Sequence, residues 1–271
     1  MTVPDTEQVP TALVTGTSSG FGRGVAERLT SLGWQVLGTV RSDVEGLPFE
    51  TVRCDVTDDA EVARLGAEVQ RRWGRLDALV NNAGAALAGP VEELSPDELR
   101  WQLDVNVVGP LSVLRACLPA LRAAQGVVVQ VSSESGITAD GMFAAYNASK
   151  FGLEGASEAV AQELAPLGVR VVIVEPGAHN TGIAHRARNA AARGDAEVYD
   201  EGWGGLDAWA AWHATGSADP AVAVDAIVAA ATRPGAPLRI PVGDGAAEKL
   251  RARAAELLAQ ADAAEEFLAA P

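Results

Sequence analysis

The sequence predicts an α/β protein: a doubly wound, Rossmann-like parallel sheet of about seven strands, with helices on both faces, in a single domain. Three observations predict it. Short and nearly continuous apolar runs, such as Ala12-Leu13-Val14 and Val127-Val128-Val129, alternate with longer helical patterns. Such runs belong to strands covered by helices on both faces. A glycine-rich turn, Thr15-Gly16-Thr17-Ser18-Ser19-Gly20-Phe21-Gly22, stands between the first strand and the first helix. The length of 271 residues, 48% of them hydrophobic, suffices to bury one large core.

The elements follow in order. Residues 11–15 read as a strand, 20–32 as a helix, 35–40 and 50–54 as strands, and 58–73 as a helix. Residues 76–80 are the next strand. A long helix over 96–123 opens on Ser95-Pro96-Asp97-Glu98, a capping box with Pro at the first position. An irregularity is expected in it at Gly109-Pro110. Strand 126–132, helix 144–164 and strand 169–174 complete the repeat of β and α, which requires right-handed crossovers. After Pro176-Gly177 the alternation stops. Residues 179–216 form a long polar and glycine-rich segment holding Trp203, Trp209 and Trp212, half of the six tryptophans. A loop of this length in a compact domain reads as a functional lid or as disordered, and a substrate lid is expected here. Helix 219–232, strand 238–242 and an amphipathic helix over 246–270, with Leu250, Leu257, Ala261 and Leu268 on one stripe, close the chain. The expected organisation is a cofactor-binding and catalytic core over 8–177, a lid over 178–216, and C-terminal elements over 217–271.

Charge and cysteine content narrow the function. A net charge of −15 argues against a nucleic acid or an anionic membrane as partner. No apolar run reaches the ~18 residues a span needs, and Met1-Thr2-Val3-Pro4 does not open a signal peptide. Cys54 and Cys117 have no metal-ligand spacing and sit among apolar residues, so they read as buried free thiols. A cytoplasmic enzyme is expected, with no metal.

Two features carry chemistry. The glycine turn lets the backbone approach a pyrophosphate, and the helix N-terminus behind it offers free N–H groups and partial positive charge. Tyr146 and Lys150 stand four apart, on one helical face. The chain has only two tyrosines and only two lysines against nineteen arginines. A cation beside a phenol favours phenolate, so the pair could exchange a proton with a substrate oxygen.

The spacing Gly16-x-x-x-Gly20-x-Gly22, Asn81-Asn82-Ala83-Gly84, Tyr146-x-x-x-Lys150 and Pro176-Gly177 together resemble the short-chain dehydrogenase/reductase family in its compact one-domain form. The resemblance is detailed over residues 11–182. It implies a catalytic tetrad of Asn106, Ser133, Tyr146 and Lys150. Ser133 lies thirteen residues before the tyrosine, and Asn106 lies in the long helix. Ser133 would hold the substrate oxygen and Tyr146 would protonate it. Lys150 would hold the nicotinamide ribose, and Asn106 would hold a relay water through its carbonyl. The implied cofactor contacts are Gly16, Ser18, Ser19, Gly20, Phe21, Gly22, Arg41, Asp55, Val56, Asn82, Ala83, Gly84, Tyr146, Lys150, Pro176, Gly177, His179 and Thr181. NAD-type members place an acid where Val40 stands. Here Arg41 follows and can pair with a 2′-phosphate, so NADP(H) is preferred, with NAD(H) possible. Ser19 departs from the second basic residue of many NADP-type members. His179 replaces a small or aliphatic residue.

The implied reaction is reversible hydride transfer between nicotinamide and a ketone or secondary alcohol of a bulky or apolar small molecule. Ser133, Ser135, Phe143, Tyr146 and Trp203 are expected at the substrate, with Glu134, Met142, Tyr199, Trp209, Trp212 and His213 as further candidates. An epimerase or dehydratase with bound cofactor, a nicotinamide sensor and a structural subunit are alternatives on this fold. The resemblance also implies a homodimer or homotetramer assembled through the helices at 96–123 and 144–164.

Overall fold

Seven strands form one parallel sheet in the computed structural model, which describes residues 8–181, 187–190, 197–215 and 217–270. They are β1 (Thr11–Val14), β2 (Gln35–Val40), β3 (Glu50–Arg53), β4 (Ala78–Asn81), β6 (Val127–Val131), β7 (Arg170–Pro176) and β9 (Arg239–Val242). Their order is β3-β2-β1-β4-β6-β7-β9. β5 (Leu87–Ala88) and β8 (Arg188–Asn189) form a separate parallel pair.

Alternation along each strand divides the core in two. Ala12, Val14, Val80 and Val129 pack on one face against Val25 and Leu29 of α1 (Gly20–Ser31) and Ile227 of α7 (Pro220–Thr232). Leu13, Leu37, Leu79 and Val128 point the other way, onto Leu65 of α2 (Asp59–Trp73) and Leu114 and Leu121 of α4 (Gly109–Ala124). Both faces are therefore dry, which is why the strands carry no polar alternation. Cys54 and Cys117 are buried and unbridged, and burial raises their thiols to about 11 and about 12.

The strand order reverses between β1 and β4, opening a crevice at their C-terminal ends, where such sheets hold ligands. α3 (Pro96–Leu103) starts with the expected capping box: Ser95 accepts from Glu98 N, and Glu98 accepts from Ser95 N at 2.9 Å. Between α3 and α4 the chain widens into one π-helical stretch, Asp104–Val108, where Gly109 N reaches back five residues to Asp104 O. Pro110 has no N–H to give the Asn106 carbonyl, and that missing donor is the physical reason for the irregularity. The whole run from Pro96 to Ala124 is long and apolar enough to pass as a membrane span by composition, contrary to expectation. Here it packs on α2 and the sheet.

The segment 179–216 is not one long loop. It contains α6 (Asp200–Thr215), in spite of Gly202, Gly204 and Gly205. Tertiary burial overrides the weak helix propensity: Trp203 and Leu206, three apart, are buried against Leu87, Leu94 and Ala190. Asp200 and Glu201 stand in the first turn, where negative charge suits the helix dipole. The His213 side chain lies outside the described residues, as do residues 182–186, 191–196 and 216 of the expected lid. α5 (Ala144–Leu164) carries the Tyr-Lys pair, and α8 (Ala246–Ala269) ends the described chain.

Candidate active site

A cavity of about 790 Å³ runs along the C-terminal ends of the strands, from Arg41 and Asp55 past the glycine turn to Ser133, Tyr146 and Trp212. Its floor is built from backbone. Thr17 N–H bonds to Thr39 O at 2.9 Å and Gly16 N–H to Thr39 Oγ1 at 3.1 Å, tying the turn to β2. Asn82 Nδ2 donates to Thr15 O at 2.9 Å, and the N–H groups of Asn82 and Ala83 both reach Thr15 Oγ1 at 2.9 Å. Asn82 is thus a stitch between β1 and β4. Gly22 faces this stitch instead of the cavity: a Cβ there would lie 2.3 Å from Asn82 Nδ2 and 2.4 Å from Gly16 O.

The turn fits a pyrophosphate. A Cβ on Gly16, which has φ +72°, would lie 2.9 Å from Ala83 Cα, so only glycine leaves this approach open. Ser19 caps α1 without a side-chain hydrogen bond, and the first turn of α1 has no acidic residue. α2, α3 and α7, by contrast, are closed by Asp58, Ser95 and Asp219. The positive end of α1 is left for an anion.

At the adenine end, Asp55 Oδ1 accepts from Thr57 N at 2.9 Å and Thr57 Oγ1 at 2.7 Å. Burial pushes its carboxyl up, but the Thr57 bonds and the Arg41 charge hold it below its ordinary value. Register pairs Val40 with Arg53, so Arg53 joins Arg41 around a smaller adjoining hollow. The sequence reading missed Arg53, because only strand register brings it there.

At the other end, Lys150 is buried and Tyr146 half-buried, and both line the cavity. Lys150 Nζ donates to Val131 O at 3.0 Å and lies 5.9 Å from the Tyr146 ring centre. The phenol is not lowered as the sequence suggested. Burial raises it, the Ser133 hydroxyl opposes by hydrogen bonding, and Glu134 adds to the rise. Burial also lowers Lys150 to about 8, against the attraction of Glu154. For both groups removal from water is the largest effect. Behind Lys150, Glu154 is pushed up to about 7 by burial, and the Glu175 charge adds to the rise while Arg239 opposes it. Arg239 pairs with Glu154, with Glu175 at 2.5 Å, and with Glu158 at 2.7 Å.

Asn106 does not line the cavity. It is 1% exposed; its Oδ1 accepts from Ala85 N, and its Nδ2 donates to Ala85 O and to Ser149 Oγ, all at 2.9 Å. It locks the loop after Gly84 to the π turn and to α5. Pro176, Gly177, His179 and Thr181 do line the cavity, with Gly20 against Thr181. His179 Nδ1 bonds to Gly177 O at 2.9 Å, and its ring meets Phe21 edge-on at 5.5 Å. Its Nε2 is buried without a partner.

The remaining wall is apolar. Phe143 stacks obliquely on Trp209 at 5.0 Å and meets Tyr146 edge-on at 6.5 Å. Trp101, Val105 and Trp212 close the rim together with Ser135. Trp101 and Val105 are i,i+4 on the long helix, a signal the sequence reading passed over. Trp203, expected at the substrate, is elsewhere. It is 6% exposed in the small cluster under α6, and its Nε1 donates to Glu93 at 3.1 Å while Tyr199 Oη donates to Glu92 at 2.8 Å. It docks the lid instead. Glu134 pairs with Lys249 of α8 at 2.5 Å.

Fold and cavity define a Rossmann-like dinucleotide-binding protein with an ionisable pair at one end of the crevice. The chain belongs to the short-chain dehydrogenase family, whose model matches residues 10–192, and it is an oxidoreductase of that family. It is 35% identical over 189 residues to 3-ketodihydrosphingosine reductase of Bacteroides thetaiotaomicron, covering 69% of this chain and 70% of that one. It is 35% identical over 193 residues to an NADPH-dependent 3-dehydrocapnine reductase of Ornithobacterium rhinotracheale, covering 66% and 68%. A short-chain dehydrogenase of Streptomyces avermitilis superposes with a TM-score of 0.84 at 36% identity, covering 96% of this chain and 98% of that one.

Proposed function

We propose that the protein is an NADP(H)-dependent oxidoreductase that interconverts a ketone and a secondary alcohol on a bulky or apolar small molecule. The observation that carries this reading is the meeting of Ser133, Tyr146 and Lys150 where an apolar wall of Phe143, Trp209 and Trp212 joins the anion-binding crevice. The NADPH dependence named for the Ornithobacterium relative and the Arg41 guanidinium support NADP(H) over NAD(H). Arg53 shares the small hollow beside it with Asp55, Asp58 and Glu61, so among the charges the support rests on Arg41.

Bound nicotinamide would supply or accept the hydride. The glycine turn and the open end of α1 hold its pyrophosphate, Arg41 its 2′-phosphate, and Lys150 its ribose. Ser133 bonds the substrate oxygen and the Tyr146 hydroxyl, fixing both. A half-buried phenol whose pKa is raised is neutral at working pH and can donate a proton to a carbonyl oxygen. Lys150, close to half-charged near pH 8, stabilises the phenolate left behind. Asn106 keeps the Ala85 loop and α5 in register, so that these groups stay aligned.

The test is a panel of aromatic and long-chain ketones with NADPH and NADH. Tyr146→Phe and Lys150→Ala should each lose ~10²–10⁴-fold in turnover while the fold survives, and NADPH fluorescence should still report binding to Tyr146→Phe. Near-normal turnover by Tyr146→Phe would remove it from the mechanism, and a strong preference for NADH would remove the role of Arg41. Turnover without net NADPH consumption would indicate an epimerase or dehydratase.

A further inference from the structure

α8 is a helix without a cover. Of its 24 residues, ~36 Å of helix at 1.5 Å per residue, Ala246 alone is buried among the described residues. Leu257, Leu258, Phe267 and Leu268 are 49%, 68%, 80% and 79% exposed. Alanine lies on every side of it, but six of its small and apolar residues are ordered. Leu250, Ala254, Leu257, Ala261, Ala264 and Leu268 follow one another at alternating steps of four and three. That is a heptad seam, which demands a second helix lying nearly along the first.

The charges along α8 choose the second helix and its direction. Lys249, Arg251 and Arg253 outnumber Glu248 and Glu256 in the first half, while the second half carries acids alone, Asp262, Glu265 and Glu266. We propose that α8 pairs in antiparallel fashion with α8 of a second copy of this chain, centred near residue 259. In this register Ala254 faces Ala264 of the other copy, Ala261 faces Leu257, and Leu268 faces Leu250. On one flank Arg251 meets Glu265 of the other copy, and Leu258 meets its own counterpart at the two-fold axis. Seam and flanking charges are satisfied by one register, and the alanines allow close approach. A parallel pair would instead set the acidic halves side by side, where like charges repel. In the single chain Arg251 has only an exposed contact with Glu248, at 3.5 Å, which is worth little and is easily exchanged. An anionic membrane is disfavoured by the acidic second half.

The pairing would reach the active site. Lys249, one residue before the seam, holds Glu134 at 2.5 Å, and Glu134 follows Ser133. Fixing α8 therefore fixes one rim of the cavity.

Sedimentation across a concentration series tests the pairing. Arg251→Glu and Glu265→Arg should each weaken association on the order of tenfold or more, because each sets two like-charge pairs across the two-fold. Arg251→Glu combined with Glu265→Arg restores opposite charges and should restore association. Leu258→Glu should dissociate the pair, with the melting temperature checking that each variant folds. Where another face also associates, the variants halve the copy number instead of leaving monomers. A wild-type chain with the same association as Leu258→Glu overturns the proposal, and so does a double variant that stays dissociated. Capture of a different macromolecule by an unpaired α8 also overturns it.

Discussion

The charge of Lys150 should make the activity of this protein sensitive to alkali, at a pH set by burial and by Glu154. Lys150 is buried at the cavity wall, with Val131 O accepting from it, the Tyr146 ring beside it, and Glu154 a helical turn further on. Burial brings its ammonium to about 8, and the Glu154 charge keeps it from falling lower. At pH 7 about nine in ten molecules then carry the charged form, and at pH 9 about one in ten. If charged Lys150 is the competent form, kcat/KM falls about tenfold from pH 7 to pH 9. That ratio reports the free enzyme. Tyr146 stays neutral over the range because burial raises it, so the fall is not a tyrosine titration. Glu154→Gln removes the attraction and moves the limb to lower pH. Arg239 keeps Glu175 and Glu158 as partners, so the fold survives the change. The assay is kcat/KM for NADPH from pH 6 to 10 with a ketone from the panel, for both proteins. A profile flat to pH 10, or a limb that Glu154→Gln moves upward, would refute the reasoning.

Two further outcomes are expected. Asn106→Ala leaves Ala85 N–H without its acceptor and removes one of two donors to Ala85 O, Gln102 Nε2 being the other. It should cost about 2–4 kcal/mol by urea denaturation, and a loss under ~0.5 kcal/mol would show that the loop does not depend on it. Trp203→Ala should loosen α6, so that limited proteolysis cuts near it while the melting temperature of the sheet is kept. Trp209→Ala should raise the KM of an aromatic ketone without that cleavage, and reversed behaviour would return Trp203 to the substrate wall.

Much of the site was legible because its determinants are local. Gly16 and Gly20 announce a turn that other residues resist, and Tyr146 and Lys150 share a face by helical spacing alone. Pro110 four residues after Asn106 announces a break in the helix, though not that the break is a π turn. Other features have no local sign. Arg53 reaches Arg41 through strand register, and α6 forms against its own glycines because Trp203 and Leu206 find a surface to bury against.

The sequence by itself determined the doubly wound sheet, the place of the glycine turn and the identity of the ionisable pair. These rest on periodicity and on backbone preferences that act within a few residues. Only the tertiary structure decided which tryptophan docks the lid and which faces the cavity, and only it set the sign of the Tyr146 shift. Both depend on burial, and burial is a property of what distant segments place around a side chain. For Tyr146 the loss of water proved larger than the opposing hydrogen bond with Ser133.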